Sequence, residues 1–181
     1  MKEQDRRSKR TKRMLKNALI ELLKTKNINQ ISVRELSELA DINRATFYLH
    51  YKTPHDFLLQ LEDELFNIIF TSYKNHDINN QYDFLLLLYK CIGDNYELLK
   101  VLLNSNTGST FWDKLSDSIK AQYSSLWSSH LSSLTNNELQ YYANFIIDGY
   151  VSVIKSWLLK GRLESPAEMV ELSMRFQYKI I

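Results

Sequence analysis

The chain is short of the residues that interrupt helices. Its 181 residues contain only four glycines and two prolines, too little punctuation for the frequent turns of a sandwich or barrel, so long helices are the expected elements. A single cysteine, Cys91, excludes an internal disulfide and any CxxC metal motif. It lies in an apolar run and is expected to be a buried structural thiol. The four histidines, His50, His55, His76 and His130, show neither HxxxH nor HxH spacing, so no metal site and no cofactor is expected. The longest strongly apolar run, FLLLLY at residues 84–89, falls far short of the ~20 residues a membrane span needs. The basic N-terminal segment lacks the apolar stretch of a signal peptide. No nucleophile–base set and no glycine-rich phosphate loop occurs, so catalysis is not expected either. These absences together predict a cytoplasmic, non-enzymatic protein with no membrane partner.

Apolar residues make up 44% of the chain, which is a globular composition and not a disordered one. The net charge of +2 conceals a strong asymmetry. Residues 1–52 hold 13 Lys and Arg against 6 Asp and Glu, a charge of +7, while the remainder carries −5. A basic head on an acidic body is the distribution expected when only the head meets phosphate.

The apolar spacing predicts an all-α chain in three parts: a basic, mobile arm at 1–10, a compact unit at 11–53, and a helical bundle at 54–181. Met14, Leu15, Ala18, Leu19, Leu22 and Leu23 recur at helical spacing and predict a first helix from Thr11 to about Thr25. Ser32-Val-Arg-Glu35 is a capping-box sequence opening a second, short helix. Asn43 is a good N-cap for a third, from Arg44 to about His50. Pro54 suits the first position of a fourth helix reaching about Lys74. A helix over 82–103 is expected to bend near Gly93-Asp94, followed by a loop at 104–109 and a helix over 110–131. Further capping boxes at Thr135–Glu138 and Ser165–Glu168 open the last two helices, and Gly161 supplies the stop between them.

Short helices flanking a three- to four-residue turn, then a long connecting helix, follow the pattern of a helix-turn-helix. Phe47 and Tyr51 fall on the side of Ile42 and are expected to anchor the third helix in the core. Its other side presents Ala45, Thr46, Tyr48 and Leu49, flanked by Arg44 and His50.

The segment ISVRELSELADINRATFYLHYK at 31–52 resembles the signature of TetR-type transcription regulators. A Ser-Val pair opens the second helix, Leu-Ala closes it, and Thr-Phe-Tyr-Leu-His-Tyr ends the third. The resemblance spans about residues 11–60. It implies a homodimer on a pseudo-palindromic DNA operator, most members being repressors, with a divergent ligand-sensing C-terminal domain. By position it implies base or phosphate contact for Arg34, base reading by Arg44 and Ala45, and a phosphate or thymine-methyl contact for Thr46. It likewise implies phosphate or base contacts for Tyr48 and His50, and a backbone contact for Lys52. The sequence departs from the family at Pro54, where a phosphate-binding lysine is usual; Thr53 and the helix N-terminus remain able to bind an anion there. A frequent glycine between the first two helices is replaced near Asn27, a residue that tolerates left-handed backbone.

In the bundle, Trp112, Tyr123, Trp127, His130 and Tyr141 are candidates for a pocket taking a small apolar or aromatic effector. The stripe Tyr142, Phe145, Ile146, Gly149, Val153 and Trp157, with Met169, Leu172 and Phe176 of the last helix, is the candidate dimer interface, where the family also dimerises. Residues 144–169 are similar to C-terminal regions of low-GC Gram-positive members, some of which are activators answering to a protein partner. A partner-dependent co-activator is therefore a second expectation, and a protein that binds lipid surfaces through its basic head a distant third.

Overall fold

The computed structural model describes residues 2–75, 81–103, 111–121 and 133–180, all helices and turns with no strand among them. In chain order the helices are α1 (Lys2–Leu23), α2 (Val33–Leu39), α3 (Arg44–Tyr48), α4 (Pro54–Asn75), α5 (Gln81–Asp94), α6 (Tyr96–Leu103), α7 (described over 111–121), α8 (Asn136–Leu159) and α9 (Pro166–Ile180). A single 3₁₀ turn, Ile28–Gln30, joins α1 to α2.

Helix α1 starts at Lys2, so residues 2–10 belong to the helix and do not form a separate arm. Charge without apolar periodicity does not preclude an exposed helix, and Arg6, Arg7, Lys9 and Arg10 are all exposed along it. The α1–α2 connection needs no left-handed residue. Asn27 is extended at φ −76°, and its amide donates to the Gln30 side chain.

Local chemistry sets most helix ends. Ser32 Oγ accepts from the Glu35 amide at the start of α2, but the Glu35 carboxylate does not reach back; it takes a salt bridge from Lys26 instead. The boxes opening α8 and α9 are reciprocal, with Thr135 and Glu138 exchanging bonds in one and Ser165 and Glu168 in the other. Two helices end in the same left-handed turn. After α2, Asp41 (φ 52°) lets its own amide bond Glu38 and that of Ile42 bond Ser37. After α8, Gly161 (φ 84°) and Arg162 (φ 58°) bond back to Leu158 and Trp157. The α5–α6 break falls at Asn95, one residue beyond the expected Gly93-Asp94.

One hydrophobic core runs from the head into the body. Leu15 and Leu19 of α1, Leu36 of α2 and Phe47 of α3 belong to the same buried cluster as Phe57, Leu61 and Leu65 of α4 and the inward sides of α5 to α9. Tyr51 packs against Phe57 with its ring tilted by 51°, ring centres 4.5 Å apart, where α3 hands over to α4. In the body α5 packs along α9 and α6 along α8. Tyr89 lies at that junction, fully buried, edge-on to Trp157 at 5.4 Å and hydrogen-bonded to Ser173 Oγ at 2.8 Å. Burial pushes its phenol up to about 12 despite the Ser173 bond. Cys91 is buried, its thiol raised to about 11 by burial and by Asp94.

Removing one partner of a buried hydroxyl pair strands the other. Tyr89→Phe should therefore lower unfolding free energy in urea by about 1–2 kcal/mol. Tyr89→Phe combined with Ser173→Ala should cost less than the sum of the two single changes. Strict additivity would show that the hydroxyls are not coupled.

Candidate nucleic-acid interface

Helices α2 and α3, seven and five residues long, are too short to be stable alone. What fixes α3 is its one fully buried side chain, Phe47, whose ring meets Tyr51 at 5.5 Å. Phe47 and Tyr51 thus lie in the core, with Ile42 partly buried against it. Asn43 Oδ1 caps α3 by accepting from the Ala45 amide at 2.8 Å.

With Phe47 inward, the remaining side chains of α3 turn out. Arg44, Ala45, Tyr48 and His50 are exposed and Thr46 is half-buried. Tyr48 is 60% exposed, held edge-on against Phe47 at 5.9 Å. Leu49, not assigned a role from its residue type, is the most exposed large apolar residue of the segment at 78%.

Arg34 on α2 and Arg44 on α3 converge on one carboxylate. Glu38 Oε1 lies 2.8 Å from Arg34 Nε and 3.7 Å from Arg44 Nη2. All three side chains are more than half exposed, so the pairs are worth little against water. Glu38 carried no sequence assignment, although its place one turn after Arg34 was a readable sign. Lys52 and Thr53 follow in the turn into α4. There Thr53 Oγ1 accepts from the Asp56 amide and Asp56 Oδ2 accepts from the Lys52 amide, each at 3.0 Å. Both side chains are exposed, and Pro54 occupies the first position of α4. The eight residues Arg34, Arg44, Ala45, Thr46, Tyr48, His50, Lys52 and Thr53 thus belong to one continuous stretch of α2, α3 and the following turn. None of them is buried.

The body offers a cleft of about 500 Å³ between α7 and α8. Trp112 lines it in company that is polar: Asp117, Lys120, Asp148, Ser152 and Lys155. Partial burial opposes ionisation of Asp148, but hydrogen bonds from Lys120 and Ser116 and the nearby charge of Lys155 outweigh it and hold the carboxyl below its usual range. Trp112 Nε1 is buried with no hydrogen-bond partner. Tyr141 is not part of this cleft; it is 74% exposed on α8. Tyr123, Trp127 and His130 lie outside the described residues.

The dimer candidates divide between two sides of α8. Trp157 is 3% exposed and donates to Glu164 O at 3.0 Å, and Met169 is equally buried. These two belong to the protomer's own core, which corrects the expectation that they face a partner. Phe145, Gly149 and Phe176 are exposed, and Tyr142, Ile146, Val153 and Leu172 are partly buried.

Residues 79–178 match the C-terminal region of TetR transcriptional regulators. The chain belongs to the TetR family. Solved structures of similar fold include the dihydroxyacetone kinase operon activator DhaS (17% identity, TM-score 0.62, covering 94% of the regulator and 96% of DhaS). A TetR-family regulator from Syntrophomonas wolfei aligns at 17% identity and TM-score 0.67, over 96% of this regulator and 95% of that chain. The TetR-family repressor FadR of Thermus thermophilus, solved with lauroyl-CoA, aligns at 17% identity and TM-score 0.52, over 91% of each chain. No curated protein sequence matches the regulator.

Where α4 leaves the head for the body, the regulator buries Glu62 beside the Lys114–Asp63 ion pair. Burial raises the Glu62 carboxyl to about 7; Lys114 opposes the shift and Asp63 adds to it. The folded state therefore holds this proton more tightly than the unfolded chain. Stability conferred by the raised value should be full at low pH and fall as pH rises from about 4.5 to about 7. Glu62→Gln should flatten melting temperature over that window, and an unchanged slope would assign the pH dependence to another group.

Proposed function

We propose that this TetR-family regulator binds a pseudo-palindromic DNA operator as a homodimer through α2, α3 and the turn into α4, and represses transcription. The observation that carries the reading is the arrangement of α3. One buried residue, Phe47, holds it, while Arg44, Ala45, Thr46 and Tyr48 stand outward at its start and middle. Arg34 and Arg44 supply the bidentate donors that suit guanine. Their shared Glu38 is an exposed partner that phosphate or base can displace at little cost. Lys52, Thr53 and the start of α4 supply contacts to the sugar–phosphate backbone, which set register and carry no sequence information.

The same reading places a second copy on the exposed side of α8 and α9. Tyr141, Phe145 and Phe176 are large, apolar and exposed there. A Cβ at Gly149 would meet nothing within 4 Å, so the middle of that face is open to close approach. Tyr141 is thereby moved from the pocket to the interface. Effector or partner binding to the body would act by favouring one separation of the two heads over another. A partner-dependent activator is the alternative within the same fold, in keeping with the activator named among the similar structures.

Selection of duplexes from fragmented genomic DNA by the purified protein, at two salt concentrations, should enrich a palindromic site with steep salt dependence. No binding at low salt would sink the proposal. Arg44→Ala should relax preference at particular base pairs. Lys52→Ala should weaken all duplexes alike and flatten the salt slope by ~0.9; an unchanged slope would remove Lys52 from the phosphate contacts. Phe145→Asp should sediment as a monomer, and a persistent dimer would place the interface elsewhere.

A further inference from the structure

Among the described residues only two that are not glycine adopt positive φ, Asp41 and Arg162. Aspartate is one of the side chains that tolerate this conformation, whereas arginine has no such excuse. Such an outlier asks what its side chain is needed for. The turn after α8 would close equally well with glycine or asparagine in place of Arg162, so the explanation lies in what the guanidinium touches. Arg162 Nη1 donates to Gly93 O at 2.6 Å, and the guanidinium lies over the Tyr96 ring, 4.4 Å from its centre. Both partners belong to the elbow between α5 and α6. The guanidinium and the Trp157 ring close over Gly93, since a Cβ there would stand in ordinary contact, 3.4 Å from Arg162 Nη1 and 3.5 Å from the Trp157 ring.

Between Gly93 and Tyr96 sits Asn95, and its amide faces two ways. Nδ2 donates to Cys91 O at 3.0 Å, while Oδ1 accepts from Lys16 Nζ at 3.1 Å. A carbonyl demands the NH₂ end and an ammonium the oxygen, so the two partners fix the amide's orientation. Lys16 is half-buried, and burial lowers its pKa. It rises from α1 between core residues Leu15 and Leu19, the helix on which α2 packs. Direct contacts thus run from the α8–α9 turn through the α5–α6 elbow to the helix that carries the head.

We propose that Arg162 is a positioning residue for the DNA-binding head, holding the α5–α6 elbow so that Asn95 fixes Lys16 and, with it, α1. This rests on the reading of the head as DNA-binding. It adds that the turn joining the two helices of the proposed dimer face sets the placement of the head. Arg162 touches no DNA in this scheme.

The test is a double-mutant cycle on affinity for a duplex that the wild-type protein selects from a random-sequence pool, with hydrogen exchange on the same full-length proteins. Arg162→Ala and Lys16→Met should each weaken binding about fivefold without changing the salt slope, since neither removes a phosphate contact. Together they should weaken it little more than either alone. Independent effects would multiply to about 25-fold and overturn the proposal, as would full affinity in Arg162→Ala. In exchange, Arg162→Ala should loosen residues 12–20 and 91–97 and leave α9 protected. Uniform loosening would mark a merely structural residue and equally overturn it. Should Arg162→Ala not fold, Arg162→Gly, which suits the positive φ of the turn and still removes the guanidinium, takes its place. A wild-type protein that selects no duplex would remove the DNA-binding reading, while the exchange pattern would still decide whether Arg162 holds α1.

Discussion

Everything at the head depends on one burial. Helices of seven and five residues do not persist in water; they exist because Leu36 and Phe47 are buried in one cluster with Leu15 and Leu19 of α1. That requirement also decides which side of α3 faces out. With Phe47 fixed inward, helical geometry sends Ala45 and Tyr48 outward. The outward side is thus a by-product of the inward one, and the head needs no separate device to present it.

The same constraint ties head to body. The buried cluster passes without a break from α1 through α4 into the bundle, and polar contacts follow it: Lys12 with Glu64, Lys16 with Asn95, Lys114 with Asp63. A head that packed only on itself would swing on a linker. This one leans on α4 and α6, so displacements in the bundle have somewhere to go. The polar contacts are weak one by one, being partly exposed. Their effect is to select one orientation from those the apolar contacts would allow.

Much of this was legible in the sequence because short-range chemistry dictates it. The caps at Thr135 and Ser165 and the stop at Gly161 depend on residues within a few positions of one another, and the structure places them as the sequence implies. The order of helices through α4 followed from apolar spacing in α1 and from Ser32, Asn43 and Pro54 at the starts of the next three. What escaped had long-range causes. The start of α1 carries no apolar period, so its helix from Lys2 left no trace. Glu35 turned from its expected capping role because Lys26, distant in helix register, offers a charge. Helix α8 is apolar on two sides, and periodicity does not tell which side meets the protomer and which the solvent. Trp157 is buried and Phe145 exposed for that reason. Of the candidate DNA-facing residues, the sequence identified the outward set but not Glu38, the carboxylate to which two of them are tied. Arg162 was invisible, since its partners lie 66 to 69 positions away in the chain.

The division of labour on α3 bears on how such a protein changes over generations. The residue that maintains the fold and the residues that face outward share a single turn-and-a-half of helix, yet they are different residues. Exchanges at Arg44 or Ala45 alter the outer surface while leaving Phe47 and its neighbours packed. After a gene duplication, one copy can change its outer surface without passing through an unfolded intermediate sequence. The reverse does not hold: a change at Phe47 would endanger the fold of the whole head, so the core position is held still while the outward ones explore.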